Sequence, residues 1–70
     1  MQTPLSKAQE ALRGRKRADM TEAQLLDWID ACNKMESWVG AAKARRTWKA
    51  AREDAEQELS RRALAKGRIG

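Results

Sequence analysis

Two stripes of apolar residues each fit one face of an α-helix, but they are out of phase with each other. The first recurs every three or four residues from Leu25 to Val39, and the second from Ala41 to Leu59. Since Val39 and Ala41 are two positions apart, a continuous helix would place the stripes about 170° apart. A break near Gly40 would let the second helix fold back and bury both stripes. The pattern predicts an all-α protein built on an antiparallel helical hairpin.

The length of the chain limits how large the core can be. With 70 residues the chain forms one domain at most, and small domains bury a low fraction of their surface. A single cysteine excludes an internal disulfide, and without histidine little remains for a zinc site. We therefore expect further burial by association, most simply a homodimer in which two hairpins form a four-helix arrangement.

The chain divides into three predicted segments. Residues 1–19 form a basic N-terminal arm or a short helix, for which Thr3 is the expected cap and Pro4 fits the first turn. Residues 20–66 contain the hairpin. Residues 67–70 form a flexible tail.

The first hairpin helix has a clear start signal, and the second does not. Thr21 is a good N-cap, and Gln24 completes a capping box, so this helix is predicted from Thr21 to about Val39. The second helix is predicted from about Ala41 to residues 64–66, where strong helix formers dominate. Because no capping residue marks its start, an earlier turn around residues 33–37 is the alternative.

Residue types that carry out catalysis are scarce. The chain has no histidine and no glycine-rich phosphate loop, and Cys32 lies within an apolar stripe. Asp27 and Asp30 share one helix face, but a hard cation needs several oxygen ligands from a folded loop, so a solvated acidic face is the simpler interpretation. The sequence predicts a protein that is not an enzyme and that has no metal site or cofactor.

A basic strip lies on the second helix of a chain with net charge +5. Arg45, Lys49 and Arg52 follow i, i+4, i+7, with Lys43 and Arg46 beside them. Such a strip can face an acidic protein surface, track nucleic-acid phosphates, or be a solvated face that keeps the protein soluble. An acidic protein partner and a nucleic acid both remain candidates.

A second basic cluster lies in the N-terminal segment. It consists of Arg13, Arg15, Lys16 and Arg17. Basic arms of this kind are common and of low specificity. With Lys43, these residues are the candidates for nucleic-acid contact.

Three tryptophans are the only aromatic residues. Trp28 and Trp48 lie on the apolar stripes and are expected in the core. Trp38 lies off its stripe near the turn, where it either folds over the end of the hairpin or anchors a partner. Leu26 also points away from the stripe and can contact a second chain. The candidate residues for binding a protein partner are Trp38, Arg45, Arg46, Lys49 and Arg52.

The layout resembles the small proteins that bacteriophages make to disable host machinery, such as quorum-sensing anti-activators. The resemblance consists of the small size, the helical pattern from Thr21 to Leu64, the isolated tryptophans and the Ala/Arg-rich composition. It implies stoichiometric binding that occludes a host protein, such as a transcriptional regulator. The alternatives are a DNA- or RNA-binding helical protein and a small structural or assembly component.

The expected location follows from what the sequence lacks. No signal peptide or membrane-spanning segment is recognisable, and a single thiol fits a reducing compartment. We therefore expect a cytoplasmic protein that does not bind membranes, in the host cell cytoplasm if a phage encodes it.

Overall fold

A computed structural model describes residues 3–67, which form helices joined by short connections. In chain order these are α1 (Lys7–Leu12), a 3-10 turn (Arg17–Asp19), α2 (Glu22–Trp38) and α3 (Ala42–Gly67). No strand occurs in this range, which confirms the predicted all-α class. None of the described helices is long and apolar enough to cross a membrane. The predicted tail lies outside the described residues, apart from Gly67 at the end of α3.

Helix α2 begins at the capping box that the sequence predicts. The Thr21 hydroxyl accepts a hydrogen bond from the Gln24 backbone N–H at 3.1 Å, and the Gln24 side chain accepts one from the Thr21 N–H at 2.9 Å. These bonds satisfy two backbone donors that a helix start otherwise leaves unpaired. At the other end, Val39 is the C-cap and donates its N–H to the Met35 carbonyl at 2.9 Å.

Helix α1 starts later than predicted. Ser6 is its N-cap, and Ser6 and Gln9 form a reciprocal capping box with both hydrogen bonds at 3.1 Å. The prediction of Thr3 as the cap was wrong, because only Ser6 has a glutamine three residues later to complete the box. The Thr3 hydroxyl instead donates to the Glu10 carboxylate at 3.2 Å. Gly14, two residues after the helix, has φ +85°, a conformation that glycine adopts at low cost.

The break between the two long helices lies where the stripes predict it. Only residues 39–41 separate α2 from α3, with Gly40 in the middle, and α2 continues unbroken through the alternative turn region at 33–37. Ion pairs join the two helices in opposite chain order. Glu36 pairs with Arg52, whereas Glu22 near the start of α2 is 3.6 Å from Lys66 near the end of α3.

The core lies between α2 and α3 and extends under the N-terminal segment. Trp28 is buried, and its ring centroid lies 5.7 Å from that of the partly buried Trp48 at an interplanar angle of 53°. Leu12 and Met20 from the N-terminal segment are buried in the same cluster. Residues 3–20 therefore contribute to the core rather than hanging free. The buried cluster consists of Leu12, Met20, Leu25, Trp28, Ala31, Cys32 and Ala55.

Candidate functional site

Among residues 3–67, the largest group of basic side chains without an ion pair lies at the start of α3. Residues 42–52 carry five basic and no acidic side chains. Of the five, only Arg52 forms a salt bridge within residues 3–67. The positive end of the α3 dipole lies in the same place and adds to the potential. We call the exposed residues of this region the junction surface, and it consists of Trp38, Lys43, Arg45, Arg46 and Lys49.

Trp38 gives the junction surface an apolar anchor. It is the last residue of α2 and remains 47% exposed. A half-exposed tryptophan beside cations is typical of the residues that dominate binding energy at protein interfaces. This exposure is compatible with both roles predicted for Trp38, the cover over the end of the hairpin and the partner anchor.

A polar cleft of about 490 Å³ lies between the end of α2 and the first turns of α3. Asn33, Glu36 and Ser37 line it from α2, and Arg45 and Arg52 line it from α3. Both guanidinium groups have contacts that orient them. Arg45 donates from Nε to the Val39 carbonyl at 3.1 Å, and Arg52 donates from Nη1 to Asn33 Oδ1 at 2.9 Å and to Glu36 Oε2.

Arg52 therefore differs from the other residues of the predicted basic strip. Its side chain is 22% exposed and forms an ion pair with Glu36 across the helix pair. Arg45 and Lys49, the other two residues of the i, i+4, i+7 strip, are exposed. The structure brings Arg45 and Arg52 together in the cleft and uses Arg52 in helix pairing as well.

The N-terminal basic cluster is divided between internal contacts and solvent. The Arg13 guanidinium lies 5.6 Å from the Trp48 ring centroid, and that of Arg17 lies 5.1 Å from the Trp28 ring centroid. Such cation–π contacts attach the segment to the core. Arg15 and Lys16 are exposed. Two of the four basic side chains thus contact core tryptophans, and of these Arg13 remains exposed while Arg17 is partly buried.

Arg62 of α3 holds the 3-10 turn in place. Its Nη2 donates to the carbonyls of Arg17 and Ala18 at 3.4 and 3.3 Å, and its Nε donates to Glu58 at 2.9 Å. The hydrogen bond from Arg62 lowers the pKa of the Glu58 carboxyl.

The buried Gln9 is a structural residue that the sequence interpretation missed. Its Nε2 donates to Asp27 Oδ1 and Asp30 Oδ2, both at 3.0 Å, and its Oε1 accepts from Lys34 Nζ at 3.3 Å. The hydrogen bond from Gln9, followed by that from Lys34, lowers the pKa of Asp30. Gln9 therefore attaches α1 to α2. The Ser6-x-x-Gln9 capping pattern was the available signal, although it indicates the helix start and not this contact.

The Cys32 thiol is inside the core, where it is fully buried. Burial raises its pKa to about 11, so the thiol is protonated at neutral pH. Among residues 3–67, no group of three or more histidine, cysteine, aspartate or glutamate side chains is arranged to hold a metal ion.

Comparisons with known proteins add no family assignment. No family model matches the chain, and neither the curated proteins nor the solved structures gave a significant match.

Proposed function

We propose that the protein is a non-enzymatic interaction module that binds an acidic surface of a protein partner and occludes it. The observation that carries this proposal is the half-exposed Trp38 at the end of α2, next to Val39, whose carbonyl accepts a hydrogen bond from Arg45. The cations of the junction surface form no ion pair within the described residues. Aromatic and arginine side chains are enriched at interfaces because they combine apolar area with directed hydrogen bonds. Complementary charge on the partner would speed association and select against basic surfaces.

The distribution of charge favours a protein partner over a nucleic acid. The basic strip ends at Arg52, after which Glu53, Asp54, Glu56 and Glu58 interrupt it. These carboxylates would repel phosphates along the following turns of the helix, which limits the number of phosphates that α3 can neutralise. Arg13 and Arg17 also contact tryptophan rings, and Arg13 forms an ion pair with Glu10, so part of the charge of the arm is engaged within the fold.

The resemblance to phage proteins that disable host machinery suggests the kind of partner. A small basic module with one anchored surface suits stoichiometric blocking of a regulator, such as a transcriptional regulator, in the host cell cytoplasm. The partner's binding region would carry an apolar pocket for Trp38 surrounded by acidic side chains.

Capture of partners from the source cell tests the proposal. Tagged wild type, Trp38→Ala and Lys49→Gln would be compared at low and moderate salt, with Lys7→Gln as a charge-matched control outside the junction surface. We expect Trp38→Ala to reduce recovery of a specific protein by at least about tenfold, as for an interface hot spot. Equal recovery with all four proteins would contradict the proposal.

A nucleic acid remains the alternative outcome of the same experiment. Anisotropy titrations with labelled DNA and RNA at two salt concentrations would show it as tight binding that weakens steeply with salt. Such binding, unaffected by Trp38→Ala, would replace the protein-partner proposal.

We also propose that α2 and α3 form an antiparallel hairpin that dimerises into a four-helix arrangement. Leu26 is 55% exposed and Leu64 is 72% exposed. Leu26, Leu59 and Ala63 line a groove of about 350 Å³ whose charged residues include both Glu22 and Lys66. A border of mixed charge suits a second copy of a basic chain better than a uniformly basic face does.

Sedimentation of the wild type and Leu26→Glu tests the dimer. We expect a dimer for the wild type and a monomer with unchanged helix content for the variant, because a buried, unpaired carboxylate opposes association. A wild-type monomer at high protein concentration would contradict it.

A further inference from the structure

We infer that the cleft between α2 and α3 binds a carboxylate side chain of the protein partner between the guanidinium groups of Arg45 and Arg52. This inference rests on the proposed function and names the group that the acidic partner would insert. The cleft is about 490 Å³, which leaves room for an acidic side chain.

Arg52 is oriented and still has donors available. A guanidinium group has five N–H donors in one plane. Nη1 of Arg52 points to Asn33 Oδ1 and Glu36 Oε2. Its Nη2 and Nε groups have no acceptor among residues 3–67, so three N–H donors remain for a ligand. Because Asn33 and Glu36 fix the plane, less side-chain entropy is lost on binding.

Arg45 is oriented in a different way. Its Nε donates to the Val39 carbonyl at 3.1 Å, next to the C-cap of α2. Both of its terminal nitrogens are without acceptors in the described part of the chain, so they present a bidentate edge. A carboxylate between the two guanidinium groups would receive charge-assisted hydrogen bonds from both.

The charge of the cleft matches a singly charged anion. Arg45 and Arg52 contribute two positive charges and Glu36 one negative charge, so the net charge of the lining is +1. A carboxylate neutralises this charge. Phosphate carries about −1.5 to −2 at neutral pH and would leave excess negative charge beside Glu36. The charge balance favours an aspartate or glutamate side chain as the ligand. The exposed Trp38 points the same way, because such a tryptophan is typical of protein–protein interfaces.

The arginine Nε–Hε signals in 1H–15N NMR spectra test the inference. The probe is a capped tetraglutamate peptide, compared with capped tetraglutamine and with inorganic phosphate at the same ionic strength. We expect tetraglutamate to shift the Arg45 and Arg52 signals in a saturable manner, and tetraglutamine to leave them unchanged.

Variants identify the site. Arg45→Gln should weaken tetraglutamate binding by about tenfold, the loss of one charge-assisted contact, whereas Lys7→Gln should change it by less than about twofold. Because Arg45 is exposed, we expect Arg45→Gln to fold normally. An unchanged far-ultraviolet circular dichroism spectrum would verify this. Equal weakening in both variants, tighter binding of phosphate than of peptide, or no shift at either arginine would overturn the inference.

The two proposals fail in different ways. If Trp38→Ala abolishes partner capture while the arginine signals do not respond to tetraglutamate, the cleft assignment is wrong and the proposed function stands. If tetraglutamate binds the cleft but partner capture does not depend on Trp38, the proposed function is wrong.

Discussion

Two tryptophans on the same helix have opposite surroundings. Trp28, in the first half of α2, is 4% exposed, whereas Trp38 at its end is 47% exposed. Trp28 faces α3 and lies under the N-terminal segment, with Trp48 and the Arg17 guanidinium against its ring. Trp38 is the last residue of α2, and about half of its surface remains exposed. Helix phase and the position of the helix end therefore decide which tryptophan stabilises the fold and which is available for binding.

The cations of the two regions differ in the same way. In the N-terminal segment, Arg13 and Arg17 lie over the rings of the core tryptophans. At the junction surface, Arg45 and Lys49 form no ion pair among the described residues. Arginine side chains thus attach the N-terminal segment to the core, whereas the cations of the junction surface are free to bind a ligand. Arg15 and Lys16 of the arm are also exposed, but the junction surface combines four cations without an ion pair in residues 3–67 and a half-exposed tryptophan, which makes it the stronger binding candidate.

The largest expected effect comes from truncating the buried tryptophan. Trp28→Ala should lower the free energy of unfolding by about 3–5 kcal/mol, because it leaves a cavity in the core. A domain of this size has a total stability of only about 4–10 kcal/mol, so the variant should be largely unfolded or close to it. Urea denaturation followed by circular dichroism measures the change. Trp38→Ala is the control and should change the free energy of unfolding by less than about 1 kcal/mol. Equal losses in the two variants would contradict the burial of Trp28 and the exposure of Trp38.

The buried thiol predicts a loss of stability at alkaline pH. Because the pKa of Cys32 is raised from 9.0 to about 11 in the fold, its contribution is fully present below pH 9 and is lost as the pH rises through about 11. The shift corresponds to roughly 3 kcal/mol. Urea denaturation at several pH values would compare the wild type with Cys32→Ala. Both proteins contain the same lysines, so a difference between their pH profiles reports the thiol alone. Parallel pH profiles for the two proteins would rule out a buried thiol.

Much of the fold was predictable because local and periodic signals carry it. The break near Gly40 follows from the phase of two stripes, and the α2 start follows from the Thr21–Gln24 capping box. The packing of the N-terminal segment against the core through its few buried residues was not predictable in this way. It depends on Leu12 and on the contact of Gln9 with Asp27, and such long-range contacts leave no period in a sequence.

The candidate site was predictable in composition but not in arrangement. Spacing alone placed Arg45, Lys49 and Arg52 on one side of a helix. It could not show that Arg52 pairs with Glu36, because the partner lies on another helix and the register depends on how the helices pack. The cleft follows from that register. Partner binding by these residues remains a prediction.

A smaller effect is expected from the residue that holds α1 against α2. Gln9→Ala removes donors from Asp27 and Asp30 and should lower the free energy of unfolding by about 1–2 kcal/mol. Gln24→Ala is the matched control, because Gln24 occupies the same position in the α2 capping box and is only partly buried. Its loss should be below about 1 kcal/mol. Urea denaturation would compare the variants, and a larger loss for Gln24→Ala would contradict the role of Gln9.

The contact between Gln9 and Asp30 also makes the free energy of unfolding depend on pH. The pKa of Asp30 is lowered from 3.8 by the hydrogen bond from Gln9, so this contribution is present above pH 3.8 and is lost as the pH falls through the lowered value. Gln9→Ala should therefore flatten the acid side of the stability profile. Acid titration by circular dichroism measures it, and an unchanged profile would show that Lys34 alone sets the pKa.

The smallest expected effect separates the two arginines of the cleft. Arg52→Gln should lower the free energy of unfolding by about 1 kcal/mol, since its ion pair with Glu36 is only 22% and 29% exposed on the two sides. Arg45→Gln should change it by less than about 0.5 kcal/mol, because Arg45 is exposed and has a single backbone contact. Thermal and urea unfolding of the two variants measure the difference. Equal losses would mean that Arg45, like Arg52, stabilises the pairing of α2 and α3. The junction surface would then have one cation fewer for binding a partner.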